Sequence, residues 1–159
     1  MNKRAKHILV VDDEESIREL LSVYINNCGY EVTFAASGQE ALEYYKSRHY
    51  DVVVSDLIMS PIDGMELLGE IKKFDPDALF IMITGYPSIE TALEAVKKGA
   101  KDYITKPFNI DDIRLKIERV ILERSLRGKL KNVQGLVWAL VISIPIWLIL
   151  GIVLAKMLK

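Results

Sequence analysis

The sequence predicts an α/β fold: five strand–helix repeats, (βα)5, wound doubly around a parallel sheet. Two observations predict it. Between residue 7 and about residue 130, short runs of β-branched and aromatic residues alternate with longer stretches whose apolar positions recur every third and fourth residue. The runs are continuously apolar rather than alternating, which is the habit of strands covered by helices on both faces. A third observation sets the remainder apart: from Val133 to Ala155 the chain carries no charged residue.

The first strand is Ile8-Leu9-Val10-Val11, and it stops at Asp12-Asp13. Ser16 to Cys28 has helical spacing, with Gly29 suited to the C-terminal cap. Val32-Thr33-Phe34 is the second strand, and Ser37 suits the N-cap of a helix over Gln39 to Arg48. Val52-Val53-Val54 follows, then a helix from Met65 to Phe74. Leu79-Phe80-Ile81-Met82-Ile83 is the fourth strand, and Ile89 to Lys98 is a helix closed by Gly99. Tyr103-Ile104 completes the sheet, and Asn109 suits the N-cap of a helix from Ile110 to about Leu126. Right-handed crossovers at each connection place a ligand site at the carboxyl ends of the strands, near a topological switch point.

With 159 residues the chain holds one core of ordinary size plus an appendage. A formal net charge of -1 argues against a general attraction to nucleic acid, so no nucleic-acid partner is expected. The one cysteine, Cys28, has no partner for an internal disulfide and reads as a small structural residue. The basic start, Lys3-Arg4-Ala5-Lys6-His7, resembles that of a signal peptide, but the apolar run that follows ends too soon at Asp12.

The polar residues at the strand ends carry the chemistry. Asp12 and Asp13 follow the first strand, Asp56 the third, Thr84 the fourth and Lys106 the fifth. Any one of them alone reads as a cap or turn former. Together, in this fold, they converge on one edge. Carboxylates so close repel one another, and Mg²⁺, a hard cation that prefers oxygen ligands and tolerates a phosphate nearby, relieves that repulsion. A carboxylate beside Mg²⁺, an ammonium and a hydroxyl can attack a phosphoryl group and hold the acyl phosphate formed. Asp56 is best placed to be that nucleophile.

These residues sit in motifs that resemble the receiver domains of bacterial two-component response regulators, over about residues 6 to 122. The motifs are Ile8-Leu9-Val10-Val11-Asp12-Asp13-Glu14, Asp51-Val52-Val53-Val54-Ser55-Asp56-Leu57, Asp63-Gly64-Met65-Glu66-Leu67-Leu68 and Gly99-Ala100-Lys101-Asp102-Tyr103-Ile104-Thr105-Lys106-Pro107-Phe108. Thr84-Gly85-Tyr86-Pro87-Ser88-Ile89-Glu90-Thr91-Ala92 is most similar to receivers that control enhancer-binding transcription activators. The resemblance implies a flavodoxin-like receiver fold and phosphorylation of Asp56 by a histidine kinase or phosphotransfer protein. It implies Mg²⁺ held by Asp13, Asp56 and the main-chain carbonyl of Ile58, with Asp12 acting through water. It also implies phosphoryl contacts from Thr84 and Lys106, and a switch in which Thr84 moves inward while Tyr103 changes rotamer. One departure is Ser60-Pro61, since the family places proline where Ser60 stands. Length to Gly64 is unchanged, so the loop's geometry is affected more than its chemistry.

Val133 to Ala155, as a helix of about 23 residues, spans roughly 35 Å against a hydrocarbon core of about 30 Å. It has no polar face, and Pro145 would kink rather than prevent insertion. Arg119, Arg124, Arg127, Lys129 and Lys131 precede it and only Lys156 and Lys159 follow, which places the N-terminal domain in the cytoplasm. The expected organisation is a receiver over 6–126, a basic linker over 127–132, a single-pass transmembrane helix over 133–155 in the cell membrane, and a tail over 156–159. No effector domain is expected after it.

The leading expectation is a membrane-anchored signalling switch that catalyses only its own phosphorylation and dephosphorylation. An unidentified downstream protein and membrane lipid would be its partners. Gly135, Ala139 and Ser143, with Gly151 and Ala155 beyond Trp147, lie on one stripe where a second copy could pack, so a homodimer is also expected as an alternative to a simple anchor. A phosphorylation-independent scaffold is a competing class. An aspartate-nucleophile phosphatase is another, weakened because Ile58 stands where such enzymes need a second aspartate.

Overall fold

The computed structural model describes residues 5–157, with side chains described throughout except at positions 127, 129–137, 146–155 and 157. Strands and helices alternate: β1 His7–Val11, α1 Glu15–Asn27, β2 Glu31–Ala35, α2 Gly38–Ser47, β3 Val52–Asp56, α3 Gly64–Phe74, β4 Phe80–Thr84, α4 Ile89–Lys98, β5 Asp102–Thr105 and α5 Ile110–Met157. The sheet is parallel throughout, in the order β2-β1-β3-β4-β5.

Each strand sends alternate side chains to opposite faces, because the side-chain period of a strand is two. Ile8, Val10, Val52, Val54, Ile81 and Ile83 therefore form one layer with Leu21 and Ile25 of α1 and Ile113 and Ile117 of α5. Leu9, Val11, Val53, Phe80 and Met82 form the other, with Ala41 of α2, Leu67, Leu68 and Ile71 of α3, and Ala95 of α4. The central strands are buried on both sides, which explains why their sequences are unbroken apolar runs.

Local chemistry sets the helix ends. Ser37 accepts from the Glu40 amide at 3.2 Å, Asp63 from the Glu66 amide at 2.7 Å and Ser88 from the Thr91 amide at 3.0 Å. Each such cap is worth about 1 kcal/mol. Asn109 Oδ1 likewise accepts from the Asp111 amide at 3.1 Å. Gly99 closes α4 with φ 101°, in the left-handed region where only glycine sits without strain. Cys28 is half-buried just after α1.

Two compact units divide the chain, Met1–Ile121 and Leu122–Lys159. The strand and helix ends agree with the sequence to within a residue or two, apart from α5, which continues past Leu126 to Met157. Over 127–132, where a linker is expected, the backbone is helical: arginine, leucine and two lysines are good helix formers, and a lone glycine costs only about 1 kcal/mol. Pro145 lies inside the helix. The expected membrane span falls mostly on positions whose side chains lie outside the described set. Among the described residues, no helix is long and apolar enough to cross a membrane.

Candidate functional site

Parallel register brings the strand ends level. Val11 pairs with Ser55, Asp56 with Ile83 and Thr84 with Thr105, so the last residues of β3 and β4 and those just beyond β1 and β5 meet at one edge. The Lys106 amide donates to the Thr84 carbonyl at 2.7 Å, carrying the lysine side chain back over β3 and β1.

The carboxylates of Asp12, Asp13 and Asp56 each offer an oxygen within 4.8 Å of the others. Asp12 and Asp56 are buried and Asp13 is exposed. The Lys106 ammonium donates to Asp56 Oδ2 at 2.8 Å and to Asp12 Oδ2 at 2.9 Å. Burial pushes the Asp12 carboxyl above its ordinary value, outweighing the nearby ammonium that favours its charged form. Burial alone would lower Lys106, but its hydrogen bonds to Asp56 and Asp12 overcome this and hold the ammonium more firmly protonated than usual. Lys106 thus bonds two of the three clustered carboxylates and leaves the charge unbalanced. That imbalance, in an all-oxygen donor set with one open, exposed member, fits a hard divalent ion such as Mg²⁺.

Asp12 is anchored on every side. Its amide donates to the Ala35 carbonyl at 3.2 Å, its Oδ1 accepts from the Glu14 amide at 2.9 Å, and its carbonyl accepts from Arg18 Nη1 at 2.7 Å. Asp56 Oδ1 lies 3.4 Å from the Ile58 amide, so the Ile58 main chain runs beside the cluster. The following loop returns tightly: the Gly64 amide donates to the Leu57 carbonyl at 2.9 Å, and a Cβ on Gly64 would collide with the Asp56 carbonyl oxygen. Ser60–Pro61 and Lys106–Pro107 are both cis.

Thr84 is fully buried and its hydroxyl accepts from the Tyr86 amide at 3.1 Å. Tyr103 is half-buried, and its hydroxyl meets Thr91 Oγ1 at 3.1 Å rather than Thr84. Thr91 also closes the capping box with Ser88, so Tyr103 is tied to the first turn of α4. The structure therefore gathers Asp12, Asp13, Asp56, Thr84 and Lys106 at one edge and leaves Tyr103 at α4. Arg18 and Thr91 escaped the sequence reading. The Ser88-x-x-Thr91 spacing was an available signal for the second, whereas nothing in the sequence marks a side chain bonded to a distant main-chain carbonyl.

Residues 8–118 match the family model described as the response regulator receiver domain. Regulatory protein AtoC of Escherichia coli (strain K12) is 35% identical over 127 residues, covering 80% of this chain and 28% of that protein. Transcriptional regulatory protein ZraR of Escherichia coli O157:H7 is 40% identical over 114 residues, covering 72% of this chain and 26% of that protein. The chain thus spans little more than a quarter of the length of these curated relatives. Among solved structures, a CheY-like response regulator receiver domain protein from Methanospirillum hungatei JF-1 superposes with a TM-score of 0.76 at 33% identity, covering 79% of this chain and all of that one.

Proposed function

This chain belongs to the response regulator receiver domain family, and from that premise we propose that Asp56 accepts the phosphoryl group and that the C-terminal helix holds the domain at a membrane. The observation that carries the first part is the position of Asp56 at the end of β3, between the Asp12–Asp13 pair and the Lys106 ammonium. Receiver domains of response regulators interact with histidine kinases or phosphotransfer proteins, which makes such a protein the expected donor. An Asp56 carboxylate oxygen attacks phosphorus, and the bond to the donor nitrogen breaks with its electron pair leaving on the donor. Lys106 balances charge on the phosphoryl oxygens and the Thr84 hydroxyl offers them a hydrogen bond. Asp12 and Asp13, with Asp56 and the Ile58 carbonyl, would hold Mg²⁺, which supplies further charge neutralisation when bound. Movement of Thr84 toward the phosphoryl group would release Tyr103 from Thr91 and alter α4, where a downstream protein would read it.

Membrane anchoring rests on the charge-free stretch and on the exposure of its described part. Trp138, Leu140, Val141, Ile142 and Ile144 are each more than half exposed, so the described part of this stretch presents large apolar side chains rather than charged ones at its surface. The basic residues ahead of it favour a cytoplasmic receiver. A second copy, packed through the small residues of the helix, is the remaining proposed partner.

The 159-residue chain in detergent, incubated with acetyl phosphate and Mg²⁺, should gain one phosphoryl group that hydroxylamine removes, and Asp56→Asn should gain none. Equal labelling of that variant refutes the acceptor assignment. Alkaline carbonate extraction of cell membranes tests the anchor: recovery of the protein in the supernatant refutes it.

A further inference from the structure

Arg18 lies on α1, outside the set of residues that face the reacting groups, yet its guanidinium reaches back six positions to the main chain at the acidic edge. The bond is made to the carbonyl of Asp12, 2.7 Å from Nη1, and not to any of the three carboxylates. A carbonyl is one end of a rigid peptide plane whose other end is the next residue's nitrogen. The plane held by Arg18 is therefore the Asp12–Asp13 peptide, and its orientation sets the direction in which the Asp13 side chain leaves the backbone.

The rest of the environment makes this contact matter. The Asp12 amide is fixed by Ala35 of β2, and the Asp12 carboxylate by the Glu14 amide and by Lys106. Asp13 is the exposed member of the cluster, with no core packing to orient it. Hydrogen bonds from the Ala36 amide and the Tyr44 hydroxyl hold the Glu40 carboxyl below its ordinary value, and the nearby Arg18 guanidinium adds a smaller push in the same direction. The guanidinium is thus bonded at the β1 end and lies near the first turn of α2. Because the bond goes to the carbonyl, it leaves the carboxylate oxygens available to a metal ion.

We propose that Arg18 is a positioning residue for divalent-cation binding, acting by holding the Asp12–Asp13 peptide plane so that the Asp13 carboxylate joins the cluster. This rests on the reading of that cluster as a Mg²⁺ site. Groups that orient metal ligands without touching the ion typically contribute tenfold or more in affinity.

Calorimetric titration of the full chain in detergent micelles with Mg²⁺ tests it. Arg18→Met should weaken Mg²⁺ binding by roughly tenfold, with an unchanged far-UV circular dichroism spectrum. Arg18→Lys, which keeps the charge and loses the planar fork, should fall between the two. Glu40→Gln, which leaves the Asp12 contact intact, should bind as the wild type does. Wild-type affinity in Arg18→Met overturns the inference, as does an equal loss in Glu40→Gln, which would make Arg18 only a brace between helices. Should Arg18→Met fail to fold, wild-type affinity in Arg18→Lys overturns it in its place. A wild type that takes up no Mg²⁺ overturns the reading of the cluster as well, whereas normal wild-type binding beside unaffected Arg18 variants overturns this inference alone.

Discussion

The Lys106 ammonium lies 2.8 Å from Asp56 Oδ2 and also bonds Asp12, so one cation serves two buried carboxylates that approach each other from different strands. Removing it leaves both without a counter-charge. Lys106→Met should lose about 3 kcal/mol of stability in metal-free buffer, and Mg²⁺ should restore more stability to it than to the wild type, because the competing cation is gone. Urea unfolding with EDTA and with Mg²⁺ measures both; an equal Mg²⁺ increment in the two proteins contradicts the account.

In the wild type, Mg²⁺ should raise the melting temperature without any phosphoryl donor, since it relieves repulsion among Asp12, Asp13 and Asp56. Asp13→Ala should lose most of that gain. Melting curves unmoved by millimolar Mg²⁺ would count against the site.

Gly64→Ala should destabilise the fold by about 2 kcal/mol or more. Its new methyl would collide with the Asp56 carbonyl oxygen and lie 2.9 Å from Leu57 Cα, and backbone at both points must shift. Because the displaced residue is the acceptor itself, acetyl phosphate labelling should slow as well. Labelling at the wild-type rate in a destabilised variant would separate the two effects and show that the shift spares the Asp56 side chain.

Away from the site, Asp51 makes a pH-dependent contribution. Burial works to raise its carboxyl, but hydrogen bonds from Lys6 at 2.8 Å and the His7 amide at 3.0 Å prevail, and the net direction is below the ordinary 3.8. A depressed folded-state value means stability that is present above the unfolded value and lost as pH falls through the folded one. Asp51→Asn should therefore cost about 1 kcal/mol at neutral pH, and the gap should close in acid below pH 3.8. A gap of constant size across that range would disprove the assignment.

Much of the site was legible because Asp12, Asp56, Thr84 and Lys106 each follow an apolar run, and a parallel sheet aligns the ends of such runs. Tyr103 was legible only as a residue on β5. Its bond to Thr91 depends on the packing of α4 against β5, which hydrophobic period does not specify. Arg18 was illegible for a related reason: a long side chain reaching a main-chain carbonyl leaves no periodic trace. The extent of α5 was misjudged because charged residues over 127–132 look like a linker by polarity, while lysine, leucine and arginine favour helix by propensity.

The wide sequence separation of the paired charges bears on how the protein is made. Lys106 stands 94 positions after Asp12 and 50 after Asp56. A nascent chain that has emerged only through β4 possesses the acceptor and both acidic neighbours, but not the ammonium that makes their proximity tolerable. Closing that last loop costs little extra entropy once the other strands are paired, because the cost grows only slowly with loop length. The acidic edge therefore gains its counter-charge only once β5 has been made, after the acceptor and both of its acidic neighbours have left the ribosome.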